Sequence, residues 1–145
     1  VHFVWQRRAA EFNLMLRRLS LAYAAGLATA KVASIALWAF GHFGVLAKLH
    51  VAIAPVLGLY WLYPRLIVGG LWGLQLVLPI GGSVFVRGIV LSLAPTLVTL
   101  LWIFPFQSGQ GWLGLQLGLL APIVIWAINL IWAWTAVLWS RTTGL

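Results

Sequence analysis

Residues 60–80, YWLYPRLIVGGLWGLQLVLPI, decide what kind of object this chain is. From Leu66 to Ile80 the stretch carries no charge, and aromatic side chains crowd its start. Gly69 and Gly73 stand one turn apart on the helix that the stretch predicts. Glycines weaken a helix in water. In a bilayer they let a second backbone approach closely, which is how membrane helices gain packing energy. The stretch therefore reads as a membrane span with a close-packing face. Residues 121–140 echo it: Trp72 answers Trp132, Gly73 answers Ala133 and Leu78 answers Leu138. Gly26 answers Gly88 at a similar separation, so the chain reads as two similar halves, each a pair of spans. Such repeats run parallel and not inverted.

Composition agrees with a membrane protein. Of 145 residues, 63% are hydrophobic and 7% charged, against about 25% charged in a soluble domain. The length allows about four spans of roughly 20 residues. The expected fold is thus all-α and integral to the membrane, one domain over 1–145, with spans near 19–40, 60–80, 84–104 and 121–140. The first span carries Ala22, Gly26, Ala30 and Ser34 at four-residue steps, flanked by Ala25, Thr29 and Ala33, so one whole face is small. Leu27, Lys31, Ile35 and Trp38 lie opposite. Gly114 and Gly118 are expected to form another one-turn pair before the last span. Residues 1–20 mix Phe3, Val4, Phe12, Leu14 and Met15 with Arg7, Arg8, Arg17 and Arg18. They read as a short amphipathic segment on the membrane surface or as a helical extension of the first span, and not as a cleavable signal. Val45–Leu59 reads as an interfacial or re-entrant segment before a second span opened by Pro64, or as part of one kinked helix reaching Leu78. Pro95 should kink the third span.

Nine lysines and arginines face one acid, Glu11. In this setting the charge reports topology and anionic lipid, not nucleic acid. With the N-terminus inside, Arg7, Arg8, Arg17, Arg18, Arg87 and Arg141 fall on the cytoplasmic side, and Lys48 and Arg65 on the other. Both termini are therefore expected in the cytoplasm, and the membrane is read as a bacterial inner membrane. Span-end tryptophans such as Trp38, Trp61, Trp102, Trp112 and Trp139 suit interfacial belts.

The same inventory removes most chemistry. One acid cannot supply paired carboxylates, and none lies in a span, where a proton or cation carrier places Asp or Glu. Without cysteine there is no disulfide, iron–sulfur ligation or thiol catalysis. No glycine pair is followed by the Lys-Ser/Thr of a phosphate-binding loop. His42 and His50 flank one loop, which disfavours a bis-histidine haem; either alone could ligate a haem or a chlorin magnesium, and a headgroup-level histidine is the plainer reading. Lys31 is the residue that stands out. In a span beginning at Leu19 it lies roughly 14–18 Å from either end. There a lysine costs about 2.5–3.5 kcal/mol to insert. A span beginning near Tyr23 would instead bring it toward the headgroups.

The small-residue first helix beside Gly69–Leu74 (GGLWGL) and Pro79–Gly88 (PIGGSVFVRG) resembles small four-helix bacterial inner-membrane proteins of the YagU-like kind. The resemblance implies a four-helix fold and carries no activity or site residue. The expected function is a non-catalytic accessory subunit of a larger membrane complex, of an energy-converting kind, with Lys31 meeting an acid, carbonyl or cofactor of another chain and with lipids bound. The rivals are a pigment- or haem-binding subunit and a small stand-alone channel or lipid-handling protein.

Overall fold

The computed structural model describes all of Val1–Leu145 and is helical throughout, with no strand. Helix α1 covers His2–His42 and α2 the single turn Val45–Lys48. Helix α3, Leu59–Gly73, tightens into a 3-10 segment over Leu74–Val77. Helix α4, Val84–Val98, widens into π-helical turns over Thr99–Gln107, and α5 is Ala121–Thr142. Three of these rods are long and apolar enough to cross a membrane: α1, α4 with its continuation, and α5.

Helix α1 is the centre of the packing. Helix α3 lies along it, α5 lies against it on another side, and α4 packs on α5. The side chains that α1 buries are Ala22, Ala25, Gly26, Thr29, Ala30, Ala33, Ser34 and Leu37. These are small because α3 runs antiparallel at backbone contact. Gly26 faces Gly69 and Gly73, Ala30 faces Gly69, and Ser34 meets Arg65. A Cβ added at Gly26 would stand 2.6 Å from the Gly73 Cα. Helix α5 joins the same point, where the Trp132 indole Nε1 donates to the Gly26 carbonyl at 3.0 Å. Helices α3 and α4 share no comparable packing face.

The structure chooses between the sequence alternatives at two places and departs from the sequence reading at others. Residues 1–20 take the second of their two readings, a helical extension of the first span, and not a separate surface segment. They continue α1 without a break, and Phe3, Trp5, Phe12 and Met15 are exposed around the rod together with the arginines. Nothing in 1–20 (no proline, no glycine) interrupts the ladder of hydrogen bonds. Between the first two long rods the chain forms α2 and then a non-helical stretch over 51–57, so the single kinked helix reaching Leu78 does not occur. Helix α3 starts at Leu59, which puts Pro64 in its second turn and not at its opening. The α-helix runs through Pro95 as far as Val98 before the ladder loosens at Thr99, whose hydroxyl donates to the Pro95 carbonyl at 2.8 Å.

Residues 112–120 are not helical beyond one 3-10 turn at Trp112–Gly114. Gly114 and Gly118 have φ of +67° and +148°, values that turns use and L side chains avoid. They pack as turn glycines, Gly114 against the Phe104 ring and Gly118 against the His50 carbonyl, and do not form a helix face.

The two ends of the bundle differ in charge. At one end arginines from three helices each donate to a backbone carbonyl: Arg18 to Val77 at 3.4 Å, Arg87 to Leu76 at 2.6 Å and Arg141 to Gly82 at 3.4 Å. The other end holds His42, Lys48 and His50. There the two loops are tied together by the Ala52 N–H, which donates to the Leu117 carbonyl at 2.7 Å.

Candidate membrane-embedded binding site

The seam where α3 and α4 fail to meet is occupied by a cavity of about 650 Å³. Its back wall is the small face of α1 (Ala30, Ala33, Ser34) and the inner face of α5 (Ile125, Ile128, Asn129, Trp132). Its flanks are α3, through Trp61, Arg65, Gly69 and Trp72, and α4, through Pro95, Thr99, Ile103 and Phe104. Ala52, Ile53, Gln110 and Leu117 from the tied loops cover one end. The size falls in the range of pockets that enclose small ligands.

Arg65 is the only charged residue in the lining. Its Nε–H donates to Ser34 Oγ at 2.9 Å, and its guanidinium lies 4.9 Å from the centre of the Trp61 ring. The bond to Ser34 is the only one the Arg65 side chain makes to the protein, so the Nη groups have no protein acceptor. Two of the uncharged polar side chains in the lining are engaged with neighbours. Asn129 Nδ2 donates to Thr96 Oγ1 at 2.9 Å, and the Thr99 hydroxyl is spent on Pro95. No acidic side chain lines the cavity, because the one acid, Glu11, lies in the exposed N-terminal part of α1, well before the turns at Ala30–Leu37 that form the wall. The cavity is therefore a mostly apolar space with one fixed positive charge, since a guanidinium keeps its proton.

Sequence reasoning did not find this residue. With Pro64 taken as the first residue of the span, Arg65 belonged to the headgroups. A helix starting at Leu59 carries it about 9 Å inside. Nothing in the linear order pairs Arg65 with Ser34, thirty-one residues away.

Lys31 is outside the cavity. It is exposed on the face of α1 that looks away from α3 and α5, beside the exposed Val32 and Ile35, and it has no hydrogen-bond partner. Its level in the bundle follows from the α1–α3 register. Each step of four along α1 (Gly26, Ala30, Ser34) meets a step of four back along α3 (Gly73, Gly69, Arg65). Lys31 is thereby level with Val68, midway between Leu59 and Val77, where the helical run of α3 begins and ends.

The histidines are not brought together as ligands. His42 stacks on Trp38 with ring centroids 5.0 Å apart, and His50 is an exposed loop residue at φ +55°. No group of three metal-ligating side chains occurs. Comparison with protein-family models, with curated proteins and with solved structures finds no match. Function has to be read from the charges and the space that the helices enclose.

Proposed function

We propose that this chain is a non-catalytic, four-span subunit of a larger membrane assembly, seated against its neighbour through the Lys31 face of α1. The fourth span is α3 with its 3-10 segment, Leu59–Val77. At 1.5 and 2.0 Å per residue it is about 30 Å long, the thickness of the hydrocarbon core. Four spans return the C-terminus to the side of the N-terminus. The arginine-rich end made by Arg18, Arg87 and Arg141 supports a cytoplasmic location for both termini in a bacterial inner membrane.

The observation that carries the reading is Lys31. It is level with the middle of α3, so its ammonium starts roughly 14 Å from either end of that span. A lysine stem covers only part of that distance by snorkelling. A second copy of the chain offers no remedy. Glu11, the only acid, is twenty residues away on the same helix, about 30 Å along its axis. A neighbour with a carboxylate or exposed carbonyl at mid-membrane would supply what this chain lacks. The placement of His42 and His50 lends no support to electron transfer or pigment binding as the task of that assembly.

Lys31→Leu tests the proposal. It removes an unpaired charge from a lone protein and should leave the stability of such a protein unchanged or raised. In the assembly it strands the neighbour's carboxylate, at about 3–5 kcal/mol if that group is buried and ionised. The variant should insert in the membrane at wild-type levels and yet be lost from the complex on gentle detergent extraction, and Lys31→Arg should retain it. Recovery of the leucine variant with the same partners in the same amount refutes the reading.

A further inference from the structure

We propose that the cavity between α3 and α4 binds an amphiphile with a single negative charge, its oxyanion head on Arg65 and its apolar chain between the tryptophans. The site is separate from the Lys31 face and stands whether or not the chain has a partner.

The first ground is the geometry of Arg65. Its Nε–H is committed to Ser34, and its guanidinium carbon lies over the Trp61 ring. The two Nη groups are left side by side, the arrangement that takes the two oxygens of a carboxylate or of a phosphodiester in parallel bonds. The second ground is charge. One guanidinium and no acid balance one negative charge; a doubly charged head would leave a net negative charge among apolar walls, where it is costly. The third ground is the lining beyond Arg65. Trp72, Trp132, Ile125, Ile128 and Leu117 offer hydrocarbon and aromatic surface and no further charge. A free inorganic anion or a sugar phosphate would waste that surface, whereas an acyl chain matches it.

The route of access follows from the packing. The tied loops cover one end, and α1 and α5 close the back. The side where α3 and α4 lack a shared packing face is the one through which a chain can enter from the bilayer. Arg65 lies about 9 Å inside the end of α3, deep enough that the head leaves the headgroup layer to reach it.

The shared chemistry is a monoanionic oxyanion on an apolar chain, which a single-chain carboxylate and a two-chain phosphodiester lipid both supply. The purified full-length chain in neutral detergent is titrated with oleate and with phosphatidylglycerol, and retained ligand is read by native mass spectrometry. Methyl oleate and phosphatidylcholine serve as matched probes without net charge. One oleate or one phosphatidylglycerol should be retained per chain, and the probe that displaces the other identifies the source. The two matched probes should not be retained. Arg65→Gln should weaken binding at least tenfold, while Arg141→Gln, at the far end of the bundle, should leave it unchanged. Ile103→Trp fills the cavity from the α4 side without touching the Arg65–Ser34 bond and should also abolish retention. Binding of neither anion overturns the proposal, as does methyl oleate binding as well as oleate. Wild-type affinity in folded Arg65→Gln does the same. Should that variant fail to fold, wild-type affinity in Ile103→Trp overturns it on its own.

Discussion

Gly26→Ala should be the most damaging single-methyl change in the protein. Gly26 is where three helices converge: the backbone of α3 passes at Gly69 and Gly73, and α5 donates the Trp132 indole to the Gly26 carbonyl. A Cβ there would lie 2.6 Å from the Gly73 Cα and 3.0 Å from the Gly73 nitrogen, and closer still to the Gly69 carbonyl. All three obstacles are backbone atoms, so no rotamer change relieves the clash. Carbon atoms rest about 3.5–4.0 Å apart, so α3 has to retreat by about 1 Å along the whole contact. Overpacking of this kind costs about 1–3 kcal/mol. The Trp132 bond is at risk as well, adding about 1 kcal/mol if it is lost. We therefore expect Gly26→Ala to lose about 2–4 kcal/mol, measured by denaturant unfolding in mixed micelles. Leu27→Ala is the comparison. Leu27 lies next along α1 and is only partly buried, so the loss there should be under about 1 kcal/mol, because lipid replaces the contacts. A Gly26→Ala protein within about 0.5 kcal/mol of wild type would refute the backbone-contact account of the α1–α3 pair.

Two further outcomes bear on topology and on the histidines. A cysteine at Ser108 should react with an impermeant maleimide added outside intact cells, since the loop at 108–111 lies at the end away from the arginine cluster; labelling only after the membrane is opened would reverse the orientation. His50 sits at φ +55°, a left-handed conformation that costs a non-glycine residue roughly 1 kcal/mol. His50→Gly should therefore hold or raise the thermal unfolding temperature and leave the visible absorption spectrum of the purified chain unaltered. Loss of an absorption band in this variant would restore His50 as a pigment or haem ligand.

The helical class of the chain and its long apolar rods were legible in the sequence because they depend on local properties. Apolar runs of span length, few charges, and small residues at four-residue steps report burial and close approach without reference to any partner segment. The all-helical fold and three rods long enough to cross a membrane follow from that level. Ala22, Gly26, Ala30 and Ser34 could be placed on one face by periodicity alone, since a helix fixes which residues share a side.

What only the tertiary structure decided turns on where elements begin and which ones meet. Gly114 and Gly118 have helical spacing, yet the chain between Gln107 and Ala121 turns back on itself, and both glycines take conformations that a helix does not use. Pro64 is tolerated both at a helix opening and one turn in, so propensity could not choose between them. That shift of one turn is what moves Arg65 from the headgroups to the wall of a cavity. The depth of Lys31 was undetermined for the same reason: α1 continues through residues 1–20, and its own sequence marks no point where the bilayer begins. The antiparallel register against α3, set by backbone contact at Gly26, Gly69 and Gly73, gives the level of Lys31 within the bundle. It places Lys31 level with the middle of α3 on one side of α1 and leaves Arg65 without a charge partner on the other. Linear order cannot hold such information, because it arises from the distance between two helices and not from the preferences of either.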